Sequence, residues 1–231
     1  MRCFRLAICC GGLVLASCAS QTPKTTAGID VPLQPGENSG TLIWRAPDIQ
    51  HAGGKYKAIF IDSADIYRGV DADFGGASEE DKTRLAEKLS TEWKNALTKH
   101  HFTVVSQSGA GVGRLHLILA GMKASKPVAA SVLRVTPFGL ALSAGKTVAG
   151  SSSALLGSVT IAGQLMDSES GEMLEVFVST VSPIALDLTA GLGKFKAAEI
   201  GIERGSEDYA AAFDRYCTSK GCSSALWGKQ P

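Results

Sequence analysis

The most specific chemistry in this sequence belongs to Cys18. It closes the string LASC at positions 15–18, after a short positive segment and an apolar stretch over residues 6–16. Small residues directly before a cysteine match the bacterial lipobox, in which the thiol is acylated and the chain is cleaved before the cysteine. The pattern predicts a signal peptide over residues 1–17 and a lipid on Cys18. The alternative is an ordinary secretory signal followed by a chance cysteine.

The residue after the cysteine bears on localisation. Ala19 stands where an aspartate would retain a lipoprotein at the inner membrane, so we expect sorting to the outer membrane, with the domain on the periplasmic face. Several acyl chains on one residue anchor a protein stably, because each buried methylene contributes about 0.8 kcal/mol. The membrane, reached through this lipid, is therefore the first expected partner.

Two cysteines remain in the predicted mature chain besides the lipidated one. Cys217 and Cys222 are separated by four residues. Two such thiols in an oxidising compartment are typical of a disulfide. A shared metal ion is the alternative, but it needs three or four ligands and no further histidine or cysteine lies nearby in sequence.

Acidic side chains follow the first predicted strand in a glycine-bounded loop. Asp65, Asp71 and Asp73 could begin a calcium site, but the glycine and the later glutamate do not stand at the steps that such a loop requires. We interpret the segment as a solvated loop. It is also a candidate ligand site, since loops at strand ends often carry function.

A second candidate surface lies in the apolar segment 128–157. Its named residues are Pro137, Phe138, Leu140 and Lys146. An exposed apolar patch there would mark an interface or line a pocket. Ser143 and Lys146 also fit a Ser-x-x-Lys pattern, but its usual companion motifs are missing from the sequence, and the glycines nearby have the wrong spacing for a phosphate loop. We expect no catalytic residues and no cofactor.

Periodicity predicts the elements that must position these residues. Strands are expected at 56–62, 102–106, 114–122, 159–165 and 173–180, with a turn at 167–172 joining the last two. A helix is expected from Ser78, as its N-cap, to about Lys99, and another over Ser206–Tyr216. The predicted fold class is α+β, with one mixed, mostly antiparallel sheet of about five strands and two helices packed on it.

Composition limits the number of domains and the class of partner. The chain has 231 residues and a formal net charge of +1, without a basic stripe that would suit nucleic acid. Residues 18–40 are polar and lack apolar periodicity, which predicts a flexible tether. One domain is expected over residues 41–231.

Several of these features together resemble a known family. The lipobox, the strand YKAIFID at 56–62, the long helix and the turn DSESGE at 167–172 occur in one order. This order resembles the bacterial lipoproteins grouped as the domain-of-unknown-function 3313 family, over roughly residues 40–218. The resemblance implies an envelope lipoprotein with a small α/β domain, and it transfers no catalytic residues.

The functional expectation is a non-enzymatic lipoprotein on the periplasmic side of the outer membrane. It would act as an interaction or accessory module for an unidentified envelope protein, through the segment 128–157. The alternative is a module that binds a lipid or another small ligand. A Ser/Lys hydrolase is the third hypothesis.

Overall fold

The computed structural model describes residues 23–47, 54–124, 157–183 and 193–228. One eight-stranded mixed sheet runs through these ranges. Its strands are β1 Gln34–Pro35, β2 Thr41–Arg45, β3 Ala58–Ile61, β4 Asp65–Ile66, β5 Val104–Val105, β6 Val112–Lys123, β7 Ser158–Asp167 and β8 Met173–Val181. They are arranged in the order β1-β2-β8-β7-β6-β3-β5, with β4 also paired to β6.

The mixed sheet was predicted, but the expected number of about five strands was too small. The strands that the sequence did not predict are β1, β2 and β4, of two, five and two residues, and strands so short show little alternation in sequence. Antiparallel pairs join β1, β2, β8, β7 and β6 in succession. The pairs that β6 makes with β3 and β4 are parallel, as is the pair of β3 with β5.

The first helix, α1 Glu79–Lys99, confirms the prediction. The Ser78 side chain accepts a hydrogen bond from the Asp81 N–H at 3.1 Å, which satisfies one free donor at the helix start. Leu85, Leu89 and Trp93 are each at most 1% exposed. Their spacing of four residues places them on one helix face, which packs on the sheet.

The second helix, α2 Lys196–Lys220, begins ten residues before the predicted start at Ser206. Ser206 does not cap it: the residue is 2% exposed and its hydroxyl donates to the Glu203 carbonyl. The first half of α2 contains Gly201 and Gly205. Glycine is a poor helix former, so the sequence gives only a weak helix signal there. Gly201 permits close packing on the sheet, because a Cβ at this position would lie 2.6 Å from Val159 Cγ1.

The two faces of the sheet are covered differently. Alternate residues of β6, among them Leu115, Leu117 and Leu119, are fully buried beneath the helices. The opposite face carries a smaller cluster in which Ala27 packs with Ala120, Ala162 and Val178, flanked by Ile29 and Leu33. Residues 25–40 were predicted to belong to a flexible tether. In the structure this segment contributes β1 and the buried side chains of Thr25 and Ala27.

The hairpin between β7 and β8 forms at the predicted turn. Asp167 is 4% exposed, and its Oδ1 accepts the N–H groups of Glu169 and Ser170 at 2.9 and 3.0 Å. Its Oδ2 accepts from Lys55 Nζ at 2.6 Å and from Tyr56 Oη at 3.0 Å. This carboxylate therefore joins the turn to the chain that enters β3.

Among the helices of the described ranges, none is long and apolar enough to cross a membrane.

Candidate functional site

The predicted acidic residues have separate structural roles. Asp65 lies in β4 with its Oδ2 3.4 Å from His116 Nε2. Asp71 accepts the Tyr67 hydroxyl at 2.7 Å, and Asp73 Oδ1 accepts the Gly75 N–H at 3.1 Å. No group of three or more potential metal ligands occurs within the described part of the chain. These three carboxylates therefore have different partners within the described residues.

The other predicted surface falls in a part of the chain outside the described residues. Pro137, Phe138, Leu140 and Lys146 lie outside the described residues, as does Cys18.

The predicted disulfide is confirmed. Cys217 and Cys222 are bonded, with their Cα atoms 4.8 Å apart. Gly221 caps the C-terminal end of α2: its φ of 77° lies in the left-handed region that glycine favours, and its N–H donates to the Cys217 carbonyl. The bond thus joins the last turn of α2 to the segment that follows it.

A cleft with a volume of about 460 Å³ lies between α2 and the side of the sheet formed by β1, β2 and β8. The antiparallel register pairs Thr41 with Ser179, Ile43 with Phe177 and Arg45 with Glu175. Because side chains alternate between faces, these three pairs share the face that lines the cleft. Helix α2 forms the opposite wall, and the turn between β1 and β2 forms the rim. The lining residues of α2 are Arg204, Gly205, Asp208, Tyr209, Ala212 and Phe213.

An ion pair between a buried carboxylate and a partly exposed guanidinium lies inside this cleft. Arg45 Nε donates to Glu175 Oε2 at 2.7 Å, and the two side chains are 36% and 5% exposed. Burial lowers the pKa of Arg45, but the charge of Glu175 and its hydrogen bond outweigh burial and raise that pKa overall. The Arg45 guanidinium also lies 5.9 Å from the centre of the Tyr216 ring. Arg45 is therefore held in place as a partly exposed cation.

Tyr209 connects the ion pair to the apolar wall. Burial raises its pKa well above the ordinary value, and the charge of the neighbouring Glu175 carboxylate adds to the effect. Its ring centre lies 4.9 Å from that of Phe177 and 6.2 Å from those of Trp93 and Phe213. Such ring pairs contribute about 0.5–1.5 kcal/mol each beyond area burial. The result is a rigid aromatic wall with a neutral hydroxyl at its polar end.

Charged side chains of both signs surround the opening. Arg204 Nη1 donates to the Ser182 carbonyl at 3.1 Å, and Arg215 Nη2 lies 3.3 Å from Glu37 Oε2. Asp208 is exposed beside them. The cleft therefore combines an apolar interior with a polar rim, which is the usual composition of a small-molecule site.

Sequence reasoning did not find this site. Arg45 and Glu175 are far apart in the chain, and each stands in a short strand of otherwise mostly uncharged residues. A glutamate inside the run MLEVFVSTV is the available signal, because a charge in a buried strand requires a partner. The sequence does not say which cation supplies it.

Comparison with known proteins identifies the family. The family model described as protein of unknown function DUF3313 matches residues 31–209. The chain belongs to this family. No curated protein matches it.

Distant similarity to solved structures was also found. The PelC dodecamer from Paraburkholderia phytofirmans shows 10% identity and a TM-score of 0.39, over 72% of this chain and 94% of that one. Protein XCC0632 from Xanthomonas campestris, of family DUF330, shows 8% identity and a TM-score of 0.36, over 71% and 90%. Both TM-scores are low, and neither similarity bears on the function of this DUF3313 chain.

Proposed function

We propose that this DUF3313 protein is a non-enzymatic binding module, anchored by a lipid on Cys18 to the periplasmic face of the outer membrane. Its binding site is the cleft beneath α2, and its ligand is a small amphipathic molecule. The cleft itself is the observation that carries the proposal: about 460 Å³ with an aromatic wall and a fixed cation. That volume falls within the range of about 300–1,000 Å³ typical of ligand sites.

The lining of the cleft favours binding over catalysis. Its described lining residues include no histidine and no cysteine, which are common general bases and nucleophiles. The Glu175 carboxylate is held by Arg45 Nε at 2.7 Å. A carboxylate engaged in this way stabilises the site and is poorly placed to take a proton from a substrate.

The distribution of polar groups indicates the chemistry of the ligand. Phe177, Tyr209 and Phe213 offer ring surface to an apolar body, such as an acyl chain or a ring system. The Arg45 side chain is 36% exposed. Its guanidinium carries further N–H donors besides the Nε–H group that donates to Glu175. An anionic head group near Arg45 would satisfy those donors. We therefore expect a single-chain anionic amphiphile rather than a neutral polar solute.

A fluorescent fatty acid tests the site. Ala212 lines the cleft, and Ala212→Trp should fill part of it and weaken probe binding by at least about tenfold, which corresponds to about 1.4 kcal/mol. Ala211→Trp is the matched control, because Ala211 is not among the lining residues and should leave binding unchanged. Both variants are first checked for a normal melting temperature. Equal binding by wild type and both variants would refute the site.

Support for the anchor is the sequence LASC at 15–18. Cys18→Ala should prevent acylation, which is read from the mass of the N-terminal peptide, and should release the protein from outer-membrane fractions while the domain stays folded. A soluble Cys18→Ala protein that fully replaces the wild type in a null strain would show that anchoring is unnecessary for function.

An envelope protein is the second candidate for the bound partner. Strand β1 pairs only with Leu42 and Ile43 of β2, while β2 continues to Arg45. An incompletely covered sheet edge can accept a strand from another chain. A photoreactive residue in place of Trp44 should then crosslink to one abundant envelope protein in cells. Crosslinking spread over many proteins, or none, would favour the small-molecule ligand instead.

A further inference from the structure

The packed part of the chain begins a short distance after the expected lipid. Thr25 is 7% exposed, and its Oγ1 accepts the Ala27 N–H at 3.0 Å. Thr25 is the seventh residue after Cys18, and an extended chain spans at most about 3.6 Å per residue. Its Cα therefore lies within about 25 Å of the Cα of Cys18. A free chain from Cys18 to Thr41 would have reached about 80 Å by the same rule.

One loop is fixed to this starting point. The Tyr67 ring packs against the cluster that contains Ala27, two residues after Thr25, and the Tyr67 hydroxyl donates to Asp71 Oδ1 at 2.7 Å. Gly69 lies directly on the Tyr67 ring, where an added Cβ would be 1.9 Å from the hydroxyl oxygen. Residues 67–71, the tip loop, are thus tied to the place where the chain leaves toward its lipid.

The tip loop ends in an exposed aliphatic side chain. Val70 is the one large hydrophobic residue that is fully exposed in the part of the chain the structure describes. Arg68, two residues before it, has a side chain that is 68% exposed and lies 2.9 Å from Glu79. Single exposed apolar residues are common on protein surfaces. Val70 differs from such residues in its position. Its loop packs beside the segment that begins at Thr25, and Thr25 cannot lie further than about 25 Å from the expected anchor at Cys18.

We propose that the tip loop is the membrane contact of the domain, with a phospholipid surface as its partner. Val70 enters the boundary between head groups and acyl chains of the leaflet that holds the Cys18 lipid, and Arg68 stays at the level of the phosphates. The inference rests on the proposed acylation of Cys18. It makes the domain a membrane-apposed module with a fixed orientation, instead of one that ranges freely into the periplasm.

Site-specific fluorescence tests the contact in the full-length acylated protein. Val70→Cys is labelled with an environment-sensitive dye and reconstituted in phosphatidylethanolamine and phosphatidylglycerol vesicles, with and without brominated acyl chains. Thr91→Cys is the control, because Thr91 is exposed on the solvent side of α1. We expect a blue shift and bromine quenching for the label at position 70, and neither for the label at position 91.

The outcomes separate this inference from the proposed function. Acylated, vesicle-bound protein whose position-70 label stays in water overturns the membrane contact and leaves the anchor intact. Equal quenching at positions 70 and 91 also overturns it, because the domain then has no fixed orientation. If the mass of the N-terminal peptide shows no acyl chains and the protein does not float with vesicles, the anchor fails, and the inference fails with it.

Discussion

Asp167 offers the sharpest test of what holds this domain together. It is 4% exposed and accepts four hydrogen bonds: two from the backbone of its own turn, one from Tyr56 and one from Lys55. Asp167→Asn keeps the shape of the side chain but removes its charge and one of its two acceptor oxygens. The substitution therefore weakens the backbone bonds and leaves at least one former donor facing an NH₂ group.

The size of the effect follows from those bonds. A hydrogen bond to a charged group contributes about 1.5–3 kcal/mol, against about 1 kcal/mol for a neutral one. Loss of charge at the two backbone bonds, together with the mismatched amide, should lower the free energy of unfolding by about 2–3 kcal/mol. Lys55→Met removes a cation whose side chain is 55% exposed. Exposed ion pairs contribute little, so this variant should lose clearly less than Asp167→Asn.

Urea unfolding of the disulfide-intact protein measures both variants, and pH adds an independent check. The hydrogen bond from Lys55, followed by those from the turn and from Tyr56, lowers the pKa of Asp167 in the folded protein. A lowered folded-state pKa contributes stability above the unfolded value of about 3.9, and that stability is lost as pH falls toward the folded value. The difference between wild type and Asp167→Asn should hold at neutral pH and shrink below about pH 4.

Two results would refute this reasoning. One is a Lys55→Met variant that loses as much stability as Asp167→Asn, since the exposed ion pair would then outweigh the buried turn. The other is a difference between wild type and Asp167→Asn that does not change between pH 6 and pH 3.

Three further variants test the packing and the disulfide. Leu89→Asp places an unpaired charge at a fully buried position, and at a cost of about 3–5 kcal/mol it should abolish cooperative unfolding by circular dichroism. If the Leu89→Asp variant unfolded cooperatively at the same midpoint as the wild type, the packing of α1 on the sheet would be contradicted. Gly163→Ala puts a Cβ 2.3 Å from the Phe177 ring and should lower the free energy of unfolding by about 1–3 kcal/mol; an unchanged urea midpoint would count against this contact. Replacing Cys217 and Cys222 by serine opens a short loop and should lower the free energy of unfolding by about 2 kcal/mol. Circular dichroism should still show a folded domain. An unfolded variant would contradict this prediction and show that the fold depends on the disulfide.

The strength of the local signal decided which elements could be predicted. Helix α1 combines a serine cap, acidic residues in its first turn and leucines every four residues, and all three signals point to the same boundaries. Helix α2 gives a weaker signal, because Gly201 and Gly205 lower its helix propensity while they allow close contact with Val159 and Trp93. Packing overrides propensity there, and packing is not visible in one sequence.

The candidate site shows the same limit for charged residues. The sequence drew attention to Asp65, Asp71 and Asp73 because they stand together in the chain, yet each has a different partner in the structure. Arg45 and Glu175 meet because β2 pairs with β8. That pairing joins segments 130 residues apart, and a strand of five residues carries little information about its register.

The sequence by itself determined the family, the existence of α1, the alternating core strands, the turn at 167–172 and the pairing of the two C-terminal cysteines, because each depends on residues close together in the chain. Only the tertiary structure decided that residues 25–40 belong to the domain, that α2 begins at Lys196 and that a cleft exists beside Arg45 and Tyr209. Those features arise from contacts between distant segments, whose free energies depend on shape and burial that local patterns do not encode.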